Sequence, residues 1–189
     1  MREHGDVEVR LAGNADAGEL ARLLDQLGYS TTQDEVATRL SYWLSDPASR
    51  VLVAEQDERS VGALSLRLIP MLEKTGWRCR IETLVVDNAA RGTGVGRLLI
   101  ATAEQHAASY GCLDVEVTSS REREGAHAFY HRLGYADVCG QSARFIKELP
   151  PTSRENQQAL DEWLGEVDAV TAPQRSASPE AVQERQACS

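Results

Sequence analysis

Nowhere does this 189-residue sequence place together the roughly 18 consecutive apolar residues that a membrane-crossing helix requires. Its charged start, Met1 to Arg10, has no apolar stretch of signal-peptide length either. These absences predict a cytoplasmic protein with no membrane partner. Paired cysteines are missing too: Cys79, Cys112, Cys139 and Cys188 are scattered, without the C-x-x-C spacing of a zinc site or the pattern of a disulfide framework. His127 and His131 have the spacing of a metalloprotease helix, but Ala128 stands where its glutamate would be, so no metal is expected. Basic residues are outnumbered, giving a net charge of −9, and a chain without a basic face is a poor partner for nucleic acid.

What the sequence does have is 42% hydrophobic residues, enough for one well-filled core. The regular apolar pattern stops at Pro150-Pro151. Beyond it the composition turns to Gln, Glu, Ala, Ser and Pro. The expected organisation is one domain over residues 1–149 and an acidic tail over 150–189. Leu160, Trp163, Leu164 and Val167 give the tail a short helical repeat before a stretch from Thr171 that reads as disordered.

Inside the domain the run Arg91-Gly92-Thr93-Gly94-Val95-Gly96-Arg97 lies between an apolar strand-like segment and a long amphipathic helix. Glycines let the main chain approach a ligand closely, and the helix start directs unpaired N–H groups and a positive dipole end at it. The run reads as a cradle for an anionic ligand. A dinucleotide fingerprint needs a glycine where Arg97 stands, and a P-loop needs Lys-Ser or Lys-Thr in place of Arg97-Leu98, so both fail.

Periodicity supplies the surrounding elements. Val7 to Leu11 reads as a strand, and Asp16 to Leu27 as a helix closed by Gly28. Thr32 to Ser45 reads as a second helix with a Thr32/Glu35 capping box and Val36, Leu40, Trp43 and Leu44 facing inward. Val51 to Ala54 and Val61 to Leu68 form an antiparallel pair, followed by a strand from Arg78 to Val86 that is apolar on both faces at its end. A helix to Tyr110 then buries Leu99, Ala103, His106, Ala107 and Tyr110. A strand follows with Leu113, Val115 and Val117 on one face, parallel to the previous one. A last helix starts with a Ser119/Glu122 capping box and repeats Ala126, Phe129, Tyr130 and Leu133 before Gly134. Two strands, Tyr135 to Val138 and Arg144 to Leu149, complete the order βααβββαβαββ.

Three features on residues 7–149 together resemble the GNAT superfamily of acetyl-CoA-dependent N-acetyltransferases. They are Arg91-x-x-Gly94-x-Gly96 after Leu84-Val85-Val86, the parallel strand Leu113 to Thr118, and Ala126-His127-Ala128-Phe129-Tyr130 with Leu133-Gly134-Tyr135. The resemblance implies an α+β fold in α/β/α layers: a mixed sheet of about seven strands, splayed between the fourth and fifth, with helices on both faces. It also implies acetyl-CoA as co-substrate. Leu84, Val85 and Val86 would lie along its pantetheine arm, and Arg91, Gly92, Thr93, Gly94, Val95, Gly96 and Arg97 would hold its pyrophosphate. Tyr130 matches the family's general acid. One position departs from the family: Arg123 stands where many members carry an asparagine that contacts the cofactor.

Acetyl transfer needs a neutral amine. A lysine-like amine, with a pKa near 10.4, costs roughly 4–5 kcal/mol to present deprotonated at neutral pH, which justifies a general base. Glu82, placed by alternation on the face of Leu84 and Val86, is the first candidate, and Glu116 on the next strand is the second. The expected acceptor is the primary amine of a small molecule, most like those of the family's small-amine enzymes. A protein or peptide acetyltransferase and a non-catalytic acyl-CoA sensor stay open, as does a homodimer. The resemblance implies substrate walls from the first two helices and the loop before the fourth strand, here including Tyr29, Tyr42, Trp43 and the segment Pro70 to Trp77. Aromatics at helical spacing are more often core than pocket, and none of them is assigned to the site.

Overall fold

Consecutive apolar residues in the middle strands make a sheet that must be covered on both sides, and the computed structural model shows how. It describes residues 6–140, 145–147 and 149. The chain divides into two compact units, Met1–Ala136 and Asp137–Ser189, and all the elements that follow belong to the first. The strands are β1 (Glu8–Leu11), β2 (Ser49–Gln56), β3 (Arg59–Pro70), β4 (Trp77–Val86) and β5 (Cys112–Val117), hydrogen-bonded in that order. The first four are antiparallel neighbours, and β5 joins β4 in parallel. The helices are α1 (Ala17–Leu27), α2 (Gln33–Ser45), α3 (Val95–Ser109) and α4 (Glu124–Arg132).

Alternation divides each central strand between two cores. Val51 and Val53 of β2, Ala63 of β3 and Val85 of β4 pack with Leu20 and Leu23 of α1 and Val36 and Leu40 of α2. Leu52, Leu64, Leu66, Cys79 and Ile81 pack on the opposite face with Val95, Leu99, Ile100 and Ala103 of α3, and Phe129 and Tyr130 of α4 lean on that cluster. Each fully buried leucine contributes about 1.5–3 kcal/mol by leaving water, and Leu23, Leu64, Leu66 and Leu99 are all 0% exposed. Gly62 lets α3 approach the sheet closely, since a Cβ there would lie 2.9 Å from Val95 Cγ1.

Local signals set the element ends. Thr32 and Glu35 form the expected capping box, and Gly28, at φ 100°, closes α1. Asp16, itself buried, accepts from Gly13 N at 2.7 Å and from both Nη atoms of Arg10, fixing the β1–α1 connection. The β2–β3 hairpin is tighter than the five-residue connection expected, because Asp57 and Glu58 both take positive φ and leave a two-residue turn.

Several expectations are corrected. Five strands are present among the described residues, not seven: Tyr135 to Val138 carries no strand, nor do residues 145–147 and 149, while Arg144 and the tail from Pro150 lie outside the described residues. Leu44 and Tyr110 are exposed, at 42% and 44%; Leu44 lies in the last turn of α2 and Tyr110 is the C-cap of α3, where the buried stripe of each helix has ended. Leu113 is 59% exposed and Cys112 packs in its place, because the β4–β5 register skips Leu113 between the pairs Trp77–Cys112 and Arg78–Asp114. The last helix begins at Glu124 with Arg123 at its N-cap, so Ser119 and Glu122 form no capping box there.

Candidate active site

The parallel ladder between β4 and β5 ends at Ile81–Val117, so Glu82 to Val86 has no partner on the β5 side. β4 and β5 therefore part here, leaving a gap beside unpaired main-chain donors and acceptors. A β-bulge marks the same place on the other edge: Ser65 faces Thr83 and Leu66 faces Ile81, so Glu82 is an extra residue at the point of divergence. The bulge reverses the alternation, because Cys79 and Ile81 share the α3 core with Leu84 and Val86. Glu82 is thus not aligned with Leu84 and Val86 by simple period-2 counting. It is exposed at the apex of the split.

The three apolar residues beyond it divide in role. Leu84 and Val86 lie on the α3 and α4 side, whereas the Val85 side chain is buried on the α1 and α2 side and its main chain faces Ala63 of β3, so the main chains of Leu84 and Val86 are the ones turned to the gap. Val95 is likewise buried at 2%, so its N–H and not its side chain is available to a ligand.

The glycine run starts α3 as its sequence suggests. Gly94 is the N-cap at φ 101°, a left-handed conformation that suits glycine, and no side chain caps the helix start. Leu98 N donates to Gly94 O as the first intrahelical bond, so the N–H groups of Val95, Gly96 and Arg97 precede the ladder and point out of the helix start. A Cβ added at Gly92 or Gly94 would meet nothing within 4 Å, which leaves open approach for an anion. Arg91 and Thr93 brace the loop, Arg91 Nε donating to Val86 O at 3.3 Å and Thr93 Oγ1 to Ala90 O at 2.7 Å. Arg91, Gly92, Thr93, Gly94 and Gly96, with the main chain of Val95 and Arg97, thus form one uncapped cradle that fits a pyrophosphate.

A clamp that periodicity did not reveal holds the segment before this cradle. Asp87 caps the short turn Asn88–Ala90 through Ala89 N at 2.9 Å and pairs with Arg22 of α1. Gln26 of α1 accepts from Asn88 N at 2.8 Å. The Ala89 N–H first, and then Arg22, hold the Asp87 carboxyl below its usual range. Asp87-Asn88 after an apolar strand was a readable turn signal. Its partners on α1 were not.

α4 brings its aromatic pair to the same place. A Cβ on Gly96 would lie 3.4 Å from Phe129 Cζ and 3.5 Å from Val86 Cγ2, so loop, strand end and helix meet there. Tyr130 packs edge-on between Phe129 and Tyr135, with ring centroids 5.3 and 5.6 Å away. Burial pushes its phenol above the ordinary value, against a smaller opposing pull from the Arg123 guanidinium. Arg123 donates to Leu27 O at the end of α1 over 2.8 Å. Glu116 Oε1 accepts from Arg80 at 3.0 Å and Oε2 lies 3.4 Å from Arg78 without a hydrogen bond, so the carboxylate is ion-paired to two arginines.

On the α1 and α2 side of β4 lies a cavity of about 280 Å³ whose wall includes Thr83 and Val85 from the unpaired stretch. Of the residues expected as substrate walls, Tyr29 and Trp43 line it. Tyr42 and the segment Pro70 to Trp77 do not.

A mixed sheet split beside an uncapped helix start, with a half-buried tyrosine opposite, defines a protein built for acyl transfer. The chain belongs to the Acetyltransferase (GNAT) family, whose pattern matches residues 18–135, and it is an acetyltransferase. It is 31% identical to the aminoalkylphosphonate N-acetyltransferase of Salmonella typhimurium over 79% of this chain and 98% of that protein. It is 30% identical to a glucosamine 6-phosphate N-acetyltransferase of Trypanosoma brucei brucei over 71% of this chain and 92% of that one. In fold it resembles the crystal structure of glucosamine-6-phosphate N-acetyltransferase from Arabidopsis thaliana, with a TM-score of 0.64 at 24% identity, covering 77% of this chain and 99% of that one. Enzymes of this family use acetyl-CoA as co-substrate. No helix among the described residues is long and apolar enough to cross a membrane.

Proposed function

We propose that this protein transfers the acetyl group of acetyl-CoA to the primary amine of a small molecule by direct attack, with Tyr130 as general acid. The observation that carries this reading is the coincidence, at the end of β4, of an unpaired strand edge, an uncapped α3 start and the Phe129-Tyr130 pair. The main-chain N–H groups at the start of α3, with Arg91 and Arg97, hold the pyrophosphate. The N–H groups of Leu84 and Val86, on the edge of β4 away from β3, bind the thioester carbonyl oxygen and stabilise the charge it gains. The acceptor reaches the gap from the α1 and α2 side.

The atoms balance simply. The amine nitrogen bonds to the carbonyl carbon, the carbon–sulfur bond breaks, the nitrogen loses one proton and the departing thiolate gains one. Tyr130 supplies the thiolate's proton, and burial keeps its phenol protonated until then. Glu82, exposed at the apex of the split, takes the amine proton directly or through water. The relatives that cover most of this chain carry names of enzymes acting on small amines, which supports a small-molecule acceptor.

The test is Tyr130→Phe. Turnover is expected to fall about 10²-fold or more with acetyl-CoA affinity nearly unchanged, measured by thiol release and calorimetry. Equal rates in the two proteins remove the acid role. Acetyl-CoA binding without turnover on any amine in wild type would leave a sensor instead.

A further inference from the structure

The acceptor side of the split has its own chemistry, and it differs from what the relatives' names suggest. The cavity lies between α1, α2 and the sheet, and its wall is formed chiefly by Leu24, Leu40, Trp43, Val85 and Tyr29. Arg39, the hydroxyls of Ser65 and Thr83 and the phenol of Tyr29 are the charged or hydroxyl groups of that wall. Arg39 is the one cation of that wall, and it is partly engaged: Nε bonds to Glu35 O at 3.1 Å, Nη2 bonds to Thr31 Oγ1, and the Glu35 carboxylate, 3.6 Å away, offsets its charge. A phosphate or phosphonate entering here would lose its water against a mostly apolar wall, with a single guanidinium already shared with Glu35 to meet its charge.

Apolar groups, by contrast, are matched throughout. Tyr29 stands at the rim 62% exposed, an aromatic surface that no packing within the domain requires. The volume of about 280 Å³ is close to the lower end of the roughly 300–1,000 Å³ range of small-molecule pockets. Position also connects cavity and reaction: Thr83 and Val85 belong to the stretch of β4 that has lost its β5 partner. An amine with its body in the cavity therefore has its nitrogen at the gap.

Resting on the acetyltransferase reading above, we infer that the acceptor is a primary amine with an apolar, aromatic or branched aliphatic body, and not an amine bearing phosphate or phosphonate. An apolar wall has a second effect. It disfavours the ammonium form of the bound amine, which removes part of the cost of deprotonation before Glu82 acts.

The experiment measures kcat/KM by thiol release with acetyl-CoA and five amines: ethylamine, 3-methylbutylamine, 2-phenylethylamine, 2-aminoethylphosphonate and glucosamine 6-phosphate. Each added methylene in an apolar pocket changes specificity by about 10–200-fold, so the two bulky apolar amines are expected to exceed ethylamine and both phosphorus-bearing amines by at least tenfold. Tyr29→Ala, an exposed substitution, is expected to lower kcat/KM for 2-phenylethylamine about tenfold while CoA affinity by calorimetry and the melting temperature stay unchanged. Faster turnover of 2-aminoethylphosphonate or glucosamine 6-phosphate overturns the inference and leaves the acetyltransferase reading standing. No turnover of any amine by a protein that binds CoA overturns both.

Discussion

Gly94 and Gly96 stand two residues apart in the same loop, yet their substitution by alanine should move stability in opposite directions. Gly94 has φ 101°, in the left-handed region, where a side chain costs about 1–2 kcal/mol whatever the space around it. Gly96 lies inside α3, where replacing glycine by alanine gains about 0.5–1 kcal/mol. Its new Cβ would touch Phe129 Cζ at 3.4 Å and Val86 Cγ2 at 3.5 Å, which is van der Waals contact and not a clash. A domain of this size shifts its Tm by about 2–4 °C per kcal/mol. Differential scanning calorimetry should therefore find Gly94→Ala lower by a few degrees and Gly96→Ala equal to or slightly above wild type. The Gly94 Cβ would point into open space where the pyrophosphate is proposed to bind, so Gly94→Val should weaken CoA binding about tenfold or more in titration calorimetry. A Gly96→Ala protein destabilised by more than about 1 kcal/mol would refute the packing at the loop, strand and helix junction. Unchanged CoA affinity in Gly94→Val would refute the assignment of the cradle.

Arg22→Ala should raise KM for acetyl-CoA several-fold with little change in kcat, because it frees Asp87 and the turn that supports the cradle; steady-state kinetics checks this. Leu99→Ala, on the buried face of α3 at 0% exposure, should lower unfolding free energy by about 2–5 kcal/mol in urea titrations. His106 has its pKa held below the ordinary 6.5 by burial and, secondarily, by Arg50. The unfolded chain thus takes up this proton first as pH falls below 6.5, and stability contributed by the neutral ring declines across that window. His106→Gln should flatten the fall of Tm between about pH 6.5 and 5, and an unaltered slope would contradict this.

What was legible in the sequence was mostly local. The Thr32/Glu35 box spans four residues and the glycine loop seven, so residue type and spacing carried both. Glu82 was misaligned because the bulge is a property of the β3–β4 pairing and leaves no mark in β4 alone. The same holds for Leu113, whose exposure follows from a register skip against β4. The Asp87 clamp draws on Arg22 and Gln26, 65 and 61 residues away, and the cavity assembles residues from α1, α2, β2, β3 and β4. Distances in space of that kind have no periodic signature.

The way β5 joins the sheet also determines when the gap comes into being. β2 and β3 meet across the two-residue turn Asp57-Glu58, and β4 returns antiparallel to β3 after a short loop, so these strands can pair as soon as they are made. β5 runs parallel to β4 and reaches it only after the fifteen residues of α3 have crossed over the sheet. On a growing chain, residues up to Val86 hold one half of the split and nothing to split from. The gap, the proposed slot for the acetyl donor, is thus the youngest part of this sheet, completed only when Val117 has been synthesised and docked beside Ile81.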